Sequence, residues 1–309
     1  MPIRFIGETN IDFLGKRKAS FVLSAILIII GIVAAVMVST GQANLGIEFI
    51  GGTMVEGYFE NPVSTADLRT ALSGGGFGEA EIQRLEGREE ANTFLIRIKA
   101  EEGGGARKAQ DIIAVLEENF PNNTFHMDSV HEVGPAVGET LQSQARWAVI
   151  VSLLGILVYI TLRFDFRFGV AATIATFHDV LVVLGIFFLL NKEITLLVVS
   201  ALLTLAGYSL TDTVVVYDRI RENLKKFHKK ADFVPAVNRS INDVLSRTIM
   251  TSLTVLIVVG AIYIAGGPVL RDFALALIFG VLVGTYSSVF VASPVYVEWE
   301  ARKPRRFKA

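Results

Sequence analysis

The chain has 309 residues, of which 52% are hydrophobic and only 19% charged, with a formal net charge of −1 and no cysteine. Its mean hydropathy is positive, +0.51, which excludes an ordinary water-soluble globular protein. The lack of cysteine excludes disulfide staples, thiolate nucleophiles and thiolate metal ligands.

Residues 1–18 end in Lys16, Arg17 and Lys18, and an apolar stretch follows at 19–40. It reaches the roughly 20 residues that a helix needs to cross the hydrocarbon core. It is longer than a signal-peptide core, and no small-x-small cleavage site follows Thr40, so it is expected to stay as a membrane helix.

Residues 41–146 differ in kind. Acidic side chains there outnumber basic ones about two to one, so nucleic acid is not an expected partner. Alternating or apolar runs at 47–59, 81–85, 94–99 and 124–133 read as strands, and 64–72 and 106–120 as helices. Ser64 suits an N-cap, and Gly74, Gly75 and Gly76 end that helix. The order βαββαβ predicts a ferredoxin-like α+β domain inserted between the first two membrane helices. The glycine runs at 74–76 and 103–105 lack the following Lys-Ser/Thr of a phosphate loop and read as turns. The linkers 41–46 and 133–138, with their glycines and Pro135, suit a hinge.

Between 147 and 297 five more apolar stretches follow, at 147–162, 168–190, 194–217, 248–265 and 273–297, before a basic tail at 298–309. The sequence thus predicts a multi-pass α-helical membrane protein with six transmembrane helices. Lys16 to Lys18, Arg163 and Arg167, the loop with Lys225, Lys226, Lys229 and Lys230, and the tail from Arg302 to Lys308 all fall on one side. The other short loops hold only Lys192 and Arg271. The positive-inside rule therefore places both termini in the cytoplasm and the inserted domain on the external, periplasmic side of the inner membrane.

Polar groups inside the apolar spans need a reason, because an ionisable side chain at mid-bilayer costs about 2.5–3.5 kcal/mol on the mildest scale. In the fourth span Thr204, Gly207, Tyr208, Thr211 and Asp212 share a helix face, and in the fifth Arg247, Thr251 and Thr254 share another. Asp212 and Arg247, at similar depth on consecutive helices, are a candidate ion pair. Taken singly, Asp212 also suits a packing role and Arg247 a snorkelling one. His178 and Asp179 in the third span point about 100° apart and are not expected to face one partner; a structural role fits them as well as a functional one. In the sixth span Gly280, Gly284, Ser288 and Ala292 form a small-residue packing face.

The segments LGIEFIGGT at 45–53, GYSLTDTVVVYDRIREN at 207–223 and SRTIMTSLT at 246–254 resemble the SecF family, membrane subunits of the SecDF accessory complex of bacterial protein translocation within the resistance-nodulation-division superfamily. The resemblance covers nearly the whole chain. It implies a non-enzymatic helper, driven by the proton motive force, that pairs with SecD and the SecY/SecE/SecG channel and promotes export of unfolded preproteins without a cofactor or metal. It carries a proton-coupling role onto Asp212 and Arg247, with Tyr208, Thr211, Thr251, His178 and Asp179 as secondary polar positions. It marks Gly46, Glu48, Gly51, Gly52 and Thr53 as the external-domain motif, where Glu48 stands in place of the family's frequent aspartate. A small-molecule efflux subunit and a passive assembly scaffold are the competing functions. No nucleophile with a nearby base, metal-ligand set or cofactor loop supports an enzyme.

Overall fold

The computed structural model describes residues 9–85, 92–99, 105–225 and 233–302. Gly103, Lys226, Lys229, Lys230 and the tail beyond Arg302 lie outside the described residues.

Six helical spans are long and apolar enough to cross a membrane. They are α1 (Arg17–Ser39), α5 (Pro135–Arg163), α6 (Phe166–Leu189), α7 (Leu196–Leu224), α8 (Phe233–Ala265) and the continuous α9 (Gly267–Ser287), π turn (Ser288–Ala292) and α10 (Ser293–Arg302). Helix α6, the sixth span and α7 lie innermost, whereas α5 turns most of its apolar surface outward. That outward surface, with Val151, Leu154, Val158 and Leu162 exposed, is what a lipid-facing helix requires.

Small residues set how closely the helices approach. A Cβ on Gly31 of α1 would stand 2.4 Å from the carbonyl oxygen of Leu181 on α6. The two backbones touch there, as in small-residue membrane interfaces. In the sixth span Gly280 lies against Leu205 and Gly284 against Ser209, both on α7. The expected small-residue face is therefore real, but the π turn shifts its phase below Ser287. Asp165 caps α6 and Thr195 caps α7 through their side-chain oxygens. The chain before α1 is tied down by α8: Asn238 Oδ1 accepts from the amides of Phe13 (2.9 Å) and Leu14 (3.2 Å).

Between α1 and α5 stands the α+β domain. Its elements are a short helix α2 (Ile47–Ile50), β1 (Gly52–Phe59), α3 (Thr65–Gly74), β2 (Glu81–Leu85), β3 (Thr93–Lys99), α4 (Gly105–Asn119) and β4 (Phe125–Val133). The sheet order is β2-β3-β1-β4, every pair antiparallel, which is the ferredoxin-like arrangement expected from the sequence. Ser64 caps α3 as anticipated, its Oγ accepting from the Asp67 amide at 3.1 Å. Val55, Phe59, Leu68, Leu72, Phe94, Ile96, Ile112 and Leu116 form the core between sheet and helices. The opposite sheet face, with Met54, Glu56, Leu95 and Arg97, turns toward the membrane bundle.

Two boundaries differ from the sequence reading. Residues 47–50 are helical rather than the start of a strand, because Gly51 (φ +73°) and Gly52 (φ +152°) turn the chain before β1 begins. A Cβ on Gly52 would lie 2.4 Å from the Ile98 carbonyl oxygen, so only glycine fits. The second span is longer than 147–162. It starts at Pro135, two residues after the end of β4, with Gly134 at the N-cap and proline in the first turn. The entry linker is also docked rather than loose. Ile194 donates to the Asn44 carbonyl (2.8 Å) and accepts from the Gly46 amide (3.0 Å), making a parallel bridge between Leu45 and Ile194.

Candidate functional site

Asp212 lies midway along α7 and is 4% exposed. Its Oδ1 accepts from Thr251 Oγ1 on α8 at 3.2 Å, while Oδ2 has no hydrogen-bond partner among the described residues. The Thr251 hydroxyl has one proton and three acceptors in reach: Asp212, the Arg247 carbonyl at 3.2 Å and the Thr248 carbonyl at 2.9 Å. The same proton can bridge two helices or return to its own.

The expected ion pair between Asp212 and Arg247 is not formed in this structure. Arg247 is exposed and sits one turn before Thr251 on α8, so the threonine stands at the level of the carboxylate while the guanidinium projects outward. Its charge still acts on Asp212 from beyond ion-pair distance. The polar face of α7 is divided: Asp212 turns inward, Thr204, Gly207 and Thr211 are exposed, and the half-buried Tyr208 hydroxyl has no hydrogen-bond partner among the described residues.

His178 and Asp179 depart further from expectation. Both side chains are fully buried and bond to each other, Nδ1 to Oδ1, at 2.9 Å. Asp179 Oδ2 also accepts from Ser209 Oγ on α7 (2.5 Å) and Ser287 Oγ on α9 (2.7 Å). One carboxylate thus ties three helices together. The side chains of adjacent residues bend toward each other, which a count of backbone angle alone does not anticipate. Ser209 and Ser287 escaped the sequence reading; the signal available was a serine inside each apolar span.

The motif at 46–53 forms the seam between domain and bundle. Gly46 packs beside Glu48, Glu193 and Thr195, and Gly51 against Pro135. Thr53 is 2% exposed at the start of β1. Glu48 Oε2 is buried without a hydrogen-bond partner among the described residues. Arg97 of β3 reaches across the seam to pair with Glu193 in the α6–α7 loop, and also meets Glu81 at 3.5 Å and Gln83 at 3.2 Å. Burial pushes the Glu193 carboxyl up to about 7; Arg97 opposes this, and the charges of Glu48, Glu81 and Asp272 add to it. Arg97 and Glu193 were not singled out from the sequence, since they lie 96 residues apart. Among the described residues no group of three His, Cys, Asp or Glu is placed to hold a metal ion.

Residues 112–302 match the family of protein export membrane proteins SecD/SecF, C-terminal. The protein translocase subunit SecF of Thermodesulfovibrio yellowstonii is 51% identical over 295 residues, covering 95% of this chain and 96% of that protein. The corresponding subunit of Calditerrivibrio nitroreducens is 42% identical over 299 residues, or 96% of each. The chain belongs to the SecF family. Its fold also matches the crystal structure of SecDF, a translocon-associated membrane protein from Thermus thermophilus, with a TM-score of 0.82 and 38% identity over 96% of this chain. This chain spans 39% of that longer SecDF chain. Against SecDF in a super-membrane-facing form the TM-score is 0.69 over 98% of this chain.

As a SecF-family protein the chain is a multi-pass membrane protein. The family match runs from α4 through α10 and so includes Asp179, Asp212 and Arg247. The match to SecF relatives takes in nearly the whole chain.

Proposed function

We propose that this chain is a non-enzymatic auxiliary subunit of the Sec translocase that, with SecD, uses the proton motive force to promote export of preproteins through the SecY/SecE/SecG channel. Both termini are cytoplasmic and the α+β domain is external, as the distribution of Lys and Arg supports. The observation that carries the reading is Asp212: a carboxylate in mid-span, enclosed by protein, with one oxygen unpartnered and the other held only by a hydroxyl that has two alternative acceptors.

The chemistry follows from that geometry. Charged Asp212 draws the Thr251 proton and links α7 to α8. Once Asp212 takes up a proton the link loses its charge assistance, and Thr251 returns to the carbonyls of its own helix. Arg247 acts on the same carboxylate through its charge. A proton crossing 100 mV supplies about 2.3 kcal/mol, which biases a two-state arrangement by roughly fiftyfold if fully coupled.

The competing scaffold reading draws on the same hydroxyl contacts, and titratability separates the two. Asp212→Asn keeps shape and hydrogen bonding but removes the titratable group, so it should abolish proton-dependent export stimulation with normal amounts of folded protein. Arg247→Met should do the same. The double variant should be no worse than either single one, because both changes break one step. Export of a reporter preprotein is measured with SecD supplied and expression matched. Wild-type stimulation in Asp212→Asn leaves the scaffold.

A further inference from the structure

The sheet face that the external domain's own helices leave uncovered is closed by the membrane bundle, and that closure centres on one carboxylate. A cavity of about 350 Å³ lies between them, with Arg97 on its domain wall and Glu193 on its membrane wall. Their side chains are 9% and 12% exposed, and they pair directly. Beside this contact the Leu45–Ile194 bridge fixes the chain where it enters the domain. Arg97 is shared with Glu81 and Gln83, so it does not serve Glu193 alone. The neighbouring Lys192 is committed to Asp272 at 2.9 Å.

We infer that Glu193 is a second proton-binding site of this protein, one that holds the external domain on the membrane bundle when its carboxyl is protonated and loosens it when the carboxyl is charged. The charges acting on it come from every element packed there: Arg97 of β3, Glu81 of β2, Glu48 of α2 and Asp272 of α9. Glu56 of β1 and His131 and Glu132 of β4 line the same cavity. In the docked state a charged Glu193 is withdrawn from water among three carboxylates and opposed by one shared guanidinium. With the domain released it returns to water.

The direction follows from linkage. The docked carboxyl titrates at about 7 against an ordinary 4.5, so docking binds the proton more tightly. The gain is complete below the ordinary value and is lost as pH rises through about 7. A gap of that size changes the docking equilibrium by at most a few hundredfold, an order-of-magnitude ceiling. Under the orientation proposed above, the external side is the acidic side of an energised membrane, so energisation favours the docked domain.

The chain has no cysteine, so two can be placed at will. Nitroxides at Ser73→Cys on α3 and Leu189→Cys at the end of α6, both exposed, report the domain-to-bundle distance by pulsed electron resonance on the full chain in nanodiscs. At about pH 5 one docked distance is expected, and at about pH 8.5 a second, longer population. Glu193→Gln, which imitates the protonated acid, should stay docked at both. Glu81→Gln, a change at a side chain 69% exposed, should move the midpoint to lower pH by removing a negative neighbour and freeing Arg97. His131→Gln should leave the response intact. Identical wild-type distances at both pH values overturn the inference, as does a response that survives in Glu193→Gln or vanishes in His131→Gln. Export plays no part in this readout, so such a failure leaves the Sec-associated reading standing.

Discussion

Asp179 bonds to side chains on three helices of the membrane bundle, and its removal tests how the three inner helices are held. Asp179→Ala deletes the bonds to Ser209 (2.5 Å), Ser287 (2.7 Å) and His178 (2.9 Å) together. Interhelical hydrogen bonds in membranes average about 0.6 kcal/mol and reach about 1.7, and a buried partner left unpaired adds about 1–3. Part of the loss is recovered, since Ser287 can still donate to the Gly284 carbonyl at 3.2 Å. The net cost is on the order of 2–4 kcal/mol. Asp179→Asn should cost less than about 1 kcal/mol, because its amide oxygen can accept from both serines while its NH₂ donates to His178 in the other tautomer. SDS titration of the full chain in detergent micelles, followed by circular dichroism, gives both values. An alanine variant as stable as wild type, or an asparagine variant as damaged as alanine, would refute the role of Asp179 as the tie between α6, α7 and α9.

Topology is tested with single cysteines at Ser73 and Lys225, both exposed: an impermeant thiol reagent on intact spheroplasts should label the first and not the second. The reverse pattern would invert the proposed orientation. Expressed alone as residues 44–136, the α+β domain should show a mixed α/β circular dichroism spectrum and a cooperative melt, since its core from Val55 to Phe125 draws on no membrane helix. A disordered fragment would show that the bundle is needed to complete it.

The strands and helices of the α+β domain were legible because alternation and caps are local signals: the 81–85 strand and the Ser64 cap appear where the sequence placed them. Residues 47–50 were not, because a short apolar run suits strand and helix equally; the two glycines after it carried the deciding information. The early start of α5 was signalled by Gly134 and Pro135, yet the length rule for a bilayer drew attention to Trp147 instead. Asp212 stood out as a charge in an apolar span. Its hydrogen-bond partner Thr251 was named only among the secondary polar positions, because Arg247 carries the more conspicuous chemistry and Thr251 the right position. The Arg97–Glu193 contact joins two unremarkable surface residue types from distant segments, and only the docking of domain on bundle gives them significance.

The docked entry linker also orders events during synthesis. Asn44 and Asn191, which bond across the seam, are 147 residues apart. At about 5–20 residues per second, roughly 7–30 s pass between the synthesis of one and the other. The sheet of the α+β domain needs nothing beyond Val133, which is made about three-fifths of the way through that interval, and it can close while α6, the neighbour of α1, and the loop that receives the linker do not yet exist. Folding of the domain therefore precedes its attachment. Throughout the wait Met54, Leu85 and Leu95 face water on the sheet surface that the bundle later covers, and the nascent chain is then most open to misassociation.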